Sequence, residues 1–325
     1  MRTTTSTLDP HVQTRLRPQH ATPAPGPRES RGAAPGQAPL WSAAREMTAA
    51  HAKEFFKRWR KVAEGFDAED IHDLRVASRR LREALALFGD CFPEKSVRRI
   101  RKRVKQVTGI LGELRNTDEA LLFFNGLSPA EREPAQTELD LLVAQLQKER
   151  EAARQQLEKD LGDLRATPLK RAIREGLSAP ELFGNQRTDP FQPLVRFADE
   201  AIAARALSVA DLLPQALFEA NAGAQHRLRI AVKRLRYRLE ILEPLFTSEY
   251  DLLHAALKGY QEVLGKLHDL DVFAELALNR VADGTGQQQV LRVITARRSR
   301  LFAEFRHKLD DISVDAIGTR ARRAL

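Results

Sequence analysis

Apolar residues along most of this chain recur at three- and four-residue spacing, the period of an amphipathic helix, and no stretch alternates as a strand would. From Trp41 to about Glu64, Phe55, Phe56, Trp59 and Val62 share one side. Leu74, Ala77, Leu81, Leu85 and Phe88 form a stripe in the next segment, and Leu228, Ala231, Leu235, Leu239 and Leu242 form the same stripe much later. Helical spacing also covers 94–114, roughly 129–176, 193–206, a segment ending near Gly265, 269–281 and 287–308. Gly89 and Pro93 separate the first striped helix from its successor, and Pro180, Gly184, Asn185 and Pro190 mark a loop over 177–192. Asp70, with Asp73 three residues on, reads as the N-cap of the first striped helix, and Asp269 with Asp271 as the cap of a later one. The pattern predicts an all-α chain.

Two of these segments repeat each other. His72 to Phe88 reads H-D-L-R-V-A-S-R-R-L-R-E-A-L-A-L-F, and His226 to Leu242 reads H-R-L-R-I-A-V-K-R-L-R-Y-R-L-E-I-L. The doublets Arg79-Arg80 and Lys233-Arg234 fall in the same register. A second echo follows each copy: Leu111-Gly112-Glu113-Leu114, running on to Asp118, returns as Leu264-Gly265-Lys266-Leu267, running on to Asp271. In that register Lys258 matches Lys105, and His254 stands in the place of Arg101. The repeat is therefore a whole unit and not one helix. It predicts two pseudo-symmetric four-helix units, 46–176 and 190–310, packed through a common core as a helical bundle. Residues 1–45 and 311–325 are left as tails.

Beside each apolar stripe runs a narrow stripe of cations: His72, Arg75, Arg79 and Arg82 in the first copy, His226, Arg229, Lys233 and Arg236 in the second. Like charges at that spacing repel, and a solvated face would more naturally mix both signs. The helix over 94–114 adds Lys95, Arg98, Arg99, Arg101, Lys102, Arg103 and Lys105, with Arg98, Arg101 and Lys105 repeating the three-then-four spacing. Guanidinium offers a planar fork to phosphate oxygens, ammonium a compact charge, and histidine a further donor as pH falls. With the units facing each other, stripes of about 15 Å (four turns less the ends) would line one groove or pore. Such a groove suits an extended polyanion better than a single phosphate. One such stripe alone would be read as surface cations paired to acids on neighbouring helices. Two registered copies with matched histidines favour the anion.

Composition agrees. Lys and Arg total 53 against 44 acids, a net charge of +9 and a pI near 9.9, a balance that favours nucleic acid, a phosphate polymer or anionic lipid as partner. Aromatic residues are only 6%, so nucleic-acid bases would find few rings to stack on. The single cysteine, Cys91, excludes a disulfide framework and a thiolate metal cluster. No run approaches the length of a membrane span. Residues 1 to about 40 hold seven of the sixteen prolines and few large apolar residues, the composition of a disordered tail. The tail has no apolar stretch of the kind a secretion signal carries, and its prolines oppose the amphipathic helix of a transit peptide. A cytoplasmic protein is expected.

The sequence resembles the CHAD domain, the conserved histidine α-helical domain, over roughly 46 to 310. The resemblance is carried by I-H-D-L-R-V-A-S-R-R-L-R at 71–82, by its second copy at 226–236 and by the paired L-G-x-L segments. It implies a helical, pseudo-twofold protein whose basic central pore or cavity binds inorganic polyphosphate; with the cationic motif face, a protein without enzymatic activity of its own and without a cofactor or metal is expected. Such a protein is expected to associate with polyphosphate granules or with enzymes that make and consume the polymer. Carried over by position, the binding residues are His72, Arg75, Arg79, Arg80 and Arg82 in the first unit and His226, Arg229, Lys233, Arg234 and Arg236 in the second. Lys105 and Lys258 follow from the next helix of each unit, with Arg98 and Arg101 as further candidates, and Arg115 and His268 rank behind these. The sequence departs from a symmetric site at Asp73 and Arg227, which follow the two histidines with opposite charge. The E-x-E-x-K signature of a CYTH triphosphatase domain, which often accompanies a CHAD domain, does not precede this one. Two other readings stay open: phosphate-backbone binding of RNA, which needs only cations at the right pitch, and a metal-dependent phosphohydrolase built on His268-Asp269 with His254. Against the latter, the motif face presents cations that would repel a metal ion. A membrane-surface role is weaker, because the apolar face of the motif helix is committed to the fold.

Overall fold

The computed structural model describes residues 35–180 and 188–325. The expected tail before residue 35 and the centre of the expected loop, 181–187, lie outside the described residues. Helices follow in the order α1 (Leu40–Gly65), α2 (Ala68–Leu87), α3 (Glu94–Asn125), the short α4 (Pro129–Arg132), α5 (Gln136–Asp163) and α6 (Ala166–Gly176). After the loop come α7 (Leu194–Ala216), α8 (Ala222–Leu242), α9 (Tyr250–Arg280), α10 (Thr285–Asp311) and α11 (Val314–Arg323). Among the described residues there is no strand, only an isolated bridge between Pro39 and Pro193. The chain is all-α, as its spacing predicts.

The apolar stripes of both repeat copies are the buried faces of α2 and α8. Leu74, Leu81 and Phe88, and likewise Leu228, Leu235, Leu239 and Leu242, are wholly out of solvent. A large side chain of this kind contributes about 2 kcal/mol on burial, so two such faces hold the element order in place. Each packs on the helix before and the helix after it, α2 between α1 and α3, α8 between α7 and α9, and α2 also meets α8 directly. One continuous core joins residues of both copies. A second core lies where the C-terminal halves of α3 and α9 meet α5 and α10, around Phe124, Leu139, Phe273 and Ile294. There the rings of Phe123 and Phe273 stack with centroids 4.8 Å apart. The starts of α1 and α7 are laced together as well: the Leu40 amide donates to the Gln192 carbonyl at 2.9 Å, and the Leu194 amide to the Ala38 carbonyl at 3.1 Å.

Several expected boundaries are corrected. The cap of α2 is Asp67, whose carboxylate accepts from the Glu69 amide at 2.8 Å, and not Asp70. Asp73 is instead ion-paired to Arg58 on α1. The two L-G-x-L segments lie inside α3 and α9 and do not end them, because Leu114, Leu121 and Phe124 prolong one apolar stripe and Leu267, Leu270 and Phe273 the other. Asp269 and Asp271 are consequently mid-helix, and Asp271 accepts from Arg298 on α10 at 2.6 Å. The stretch expected as one helix over 129–176 is three, and α7 runs past 206 to Ala216 because Val209 and Ala216 continue its buried side.

The expected tails also change at their edges. Helix α1 begins at Leu40, inside the first tail, and residues 314–323 of the second form α11 against α7 and α9. Val314, Ile317 and Ala321 are its buried face, and a Cβ on Gly318 would lie 2.1 Å from that of Ala206, so only glycine permits this approach. Ten cation-rich residues are too short a window for that face to stand out from periodicity alone.

Candidate functional site

At the junction of α2 and α8 the structure gathers Arg75, Arg79 and Arg82 with Arg229, Lys233 and Arg234. Among the described residues, none of these six forms an ion pair with a carboxylate, although ion pairs are common elsewhere on the surface. Their charges press on one another instead. Burial, followed by the charges of Arg79, Arg229, Arg234 and Arg82, pushes Lys233 down to about 8. Arg82 is lowered by burial and then by Arg101, Arg79 and Arg234, and Arg229 by burial against a partial counterweight from Asp269. Arg75 is only 6% exposed and is lowered by burial, Arg79 and Arg115. Its guanidinium nevertheless stays protonated, since arginine holds its charge in proteins. The Arg229 Nε is buried without a hydrogen-bond partner. A buried donor left unpaired costs about 1–3 kcal/mol, more when it is charged, and an incoming anion removes that cost.

The two motif histidines do not share one environment. His72 is exposed at the mouth of a cavity of about 230 Å³ lined also by Arg75, Arg115, Phe66 and Leu111. His226 is half-buried, and its Nδ1 lies 3.0 Å from the Nδ1 of His268 on α9. One ring must donate and the other accept, so this pair cannot carry two protons on the facing nitrogens. Burial first, then the charges of Arg229 and His226, hold His268 down at about 4.

This sets the sign of an acid dependence. The unfolded chain protonates this ring near 6.5 and the folded chain only near 4, so between those values the unfolded state binds more protons. The contribution is fully present above pH about 6.5 and is lost as pH falls towards about 4. Thermal melts of the ligand-free protein across that window should show the loss, and His268→Asn should flatten the slope. An unchanged slope would remove His268 as its cause.

Other expected site residues are placed elsewhere. Arg80 and Arg236 turn to the opposite side of the α2–α8 contact, where they share the carboxylate of Glu240. Arg80 Nε donates to it at 2.9 Å, Arg236 is ion-paired to it, and His254 Nε2 lies 2.9 Å away. Lys258 stands exposed on α9 with Glu262 at 3.9 Å. Arg98, Arg101 and Lys105 are exposed on α3, with Arg101 close enough to depress Arg82. Arg115 pairs with Glu119 at 2.9 Å while pressing on Arg75 and Arg229. Glu240 and Glu83 are important residues that the helical wheel passed over. Each accepts an arginine from the other motif helix, Glu240 from Arg80 and Glu83 from Arg238 at 3.3 Å, so two crossed ion pairs staple α2 to α8. The available signal was an acid within each copy on a helix otherwise rich in cations.

Among the described residues, no group of three His, Cys, Asp or Glu side chains is placed to hold a metal ion. Nor is any helix long and apolar enough to cross a membrane.

An all-helical protein with unpaired cations shared between two motif helices is the class that fold and side chains define. Residues 46–278 match the family model of the CHAD domain, and the chain belongs to that family. It is similar to the crystal structure of the CHAD domain from the plant Ricinus communis, with 25% identity and a TM-score of 0.60 over 89% of this chain and 93% of that one. It shares its fold with PptA from Streptomyces chartreusis, with 18% identity and a TM-score of 0.57 over 88% of this chain and 99% of that one. No curated protein matches the sequence.

Proposed function

We propose that this protein binds inorganic polyphosphate in a basic groove between two related four-helix units, and that it acts as a binding protein and not as an enzyme. The observation that carries the reading is the cluster of Arg75, Arg79, Arg82, Arg229, Lys233 and Arg234, half-buried or lining the α2–α8 junction without carboxylate partners. Six repelling cations held by a rigid core destabilise the fold until an anion arrives, and one compact phosphate reaches only some of them. A chain of phosphates neutralises the row. The reading favours polyphosphate over RNA because Tyr237, which acts on Arg75, is buried and offers no face to a base, and aromatic residues are scarce in the whole chain. Recruitment to polyphosphate granules, or to enzymes that make and consume the polymer, is the setting this binding would serve.

The test is a titration of the full chain with long-chain polyphosphate and with RNA at equal phosphate concentration and several salt concentrations. Polyphosphate should bind more tightly, with an affinity that falls steeply with salt as counterions are released. No orthophosphate should be liberated on prolonged incubation. RNA winning the competition would move the function to nucleic acid, and steady phosphate release would make the chain a hydrolase.

A further inference from the structure

The cations of α3 do not stop at the α2–α8 junction. Val97, Ile100, Val104 and Val107 take the buried side of this helix. Nearly the whole of its remaining circumference between residues 95 and 105 is basic: Lys95, Arg98, Arg99, Arg101, Lys102, Arg103 and Lys105 are all exposed. Among the described residues none of the seven forms an ion pair or a side-chain hydrogen bond. Helical spacing sorts them into two groups. Arg98, Arg101 and Lys105 fall on the flank towards Arg82 on α2. Lys95 and Lys102 fall on the outer face, and Arg99 and Arg103 on the flank that leads away to α6. That helix packs at Ser96, where a Cβ on Gly176 would lie 3.0 Å from the serine Cβ, and it adds exposed Lys170 and Arg174. The basic surface thus runs from the junction, over the outside of α3, to α6, where Glu175 interrupts it and its carboxylate is taken by Arg171 at 2.7 Å.

The matching turns of α9 are built differently. Asp251, Leu252 and Ala255 occupy its exposed positions, and Lys258 has Glu262 beside it. The repeat has kept the helix and not its charge, so the molecule has one strongly basic flank and one nearly neutral one. Resting on the polyphosphate reading above, we infer that a polymer too long for the groove leaves it in one direction, over the outer face of α3 towards α6. This exterior track would make affinity depend on chain length. Crossing α3 from the Arg98–Lys105 flank to the Arg99–Arg103 flank extends the contact by about 10 Å, the width of a helix with its side chains.

The experiment compares tripolyphosphate, long-chain polyphosphate and RNA on the wild-type chain and on the combined variant Lys95→Gln, Arg99→Gln, Lys102→Gln and Arg103→Gln. Glutamine preserves helix propensity, and a thermal melt of the variant matching wild type shows that the fold is kept. The variant should bind tripolyphosphate as wild type does and lose at least tenfold in affinity for the long polymer. Its salt slope for that polymer should be shallower by about 3, from four cations at about 0.7 each on a single-stranded polyanion. Unchanged long-chain affinity and slope would overturn the track while leaving the groove standing. Failure of both tripolyphosphate and long-chain polyphosphate to bind wild type would overturn the groove reading and the track with it. An RNA-specific loss in the variant would reassign the flank to nucleic acid.

Discussion

Substituting glutamate for both Arg79 and Lys233 is expected to weaken polyphosphate binding by on the order of 100-fold or more, with the fold retained. The two residues lie on different motif helices, and Arg79 is the largest charge depressing Lys233. Reversing both removes two cations from the centre of the cluster and places two anions against the ligand. Truncating one partner of a desolvated charge contact costs about 2–5 kcal/mol in an interface, and reversal adds repulsion to that loss. Folding should not suffer, because neither side chain forms an ion pair among the described residues and the new carboxylates stand beside Arg75, Arg82 and Arg229. The wild-type melting temperature should be matched or exceeded. Full retention of binding by a folded double variant would exclude the junction as the site. Loss of binding together with loss of the helical far-ultraviolet signal would mean that the cluster is structural.

The second large effect is on stability. Glu240 is 8% exposed at its side chain and serves Arg80, Arg236 and His254 at once. Burial pushes its carboxyl up, but Arg236, His254 and Arg80 together prevail and hold it below the ordinary carboxylate value. Glu240→Gln keeps the shape and removes the charge, leaving two guanidinium groups without their counterion. Breaking a buried pair in this way costs about 3–5 kcal/mol. Differential scanning calorimetry at pH 7 should show a melting temperature several degrees lower. Glu149→Gln, which removes an exposed partner of Arg280, is the control and should cost under about 1 kcal/mol. Equal melting temperatures for the two variants would refute the role of Glu240. The pH dependence carries its own sign. A carboxylate depressed in the folded state stabilises above its unfolded pKa, and that contribution disappears as pH falls through the folded value. The wild-type protein should therefore lose part of its stability below the usual carboxylate range, and Glu240→Gln should lose less there.

What the chain states by itself is everything local. An apolar residue at every third or fourth position commits a segment to a helix and names its buried face, so the core residues of α2 and α8, from Leu74 to Phe88 and from Leu228 to Leu242, are legible without coordinates. So is the repeat, because register is a property of order alone. Helix ends were less legible. Whether Gly112 or Asp269 ends a helix depends on what the next turn packs against, and α3 and α9 run on because the second core receives them.

The full division of labour among the cations could not be read from order. Arg79 and Arg80 are neighbours in the chain, and Arg82 and Arg236 occupy equivalent places in the two copies. Only the packing of α2 on α8 brings Glu240, which already pairs with Arg236 one turn away on its own helix, within reach of Arg80, while Arg79 and Arg82 meet other cations. Arg80 and Glu240 are far apart in the chain, and an ion pair is decided by a distance of a few ångströms in space. Periodicity therefore settles which side chains are buried and which are charged. Spacing of four along one helix supplies some pairs, such as Arg236 with Glu240, and tertiary contact decides which of the other charges are neutralised within the protein and which remain for a ligand.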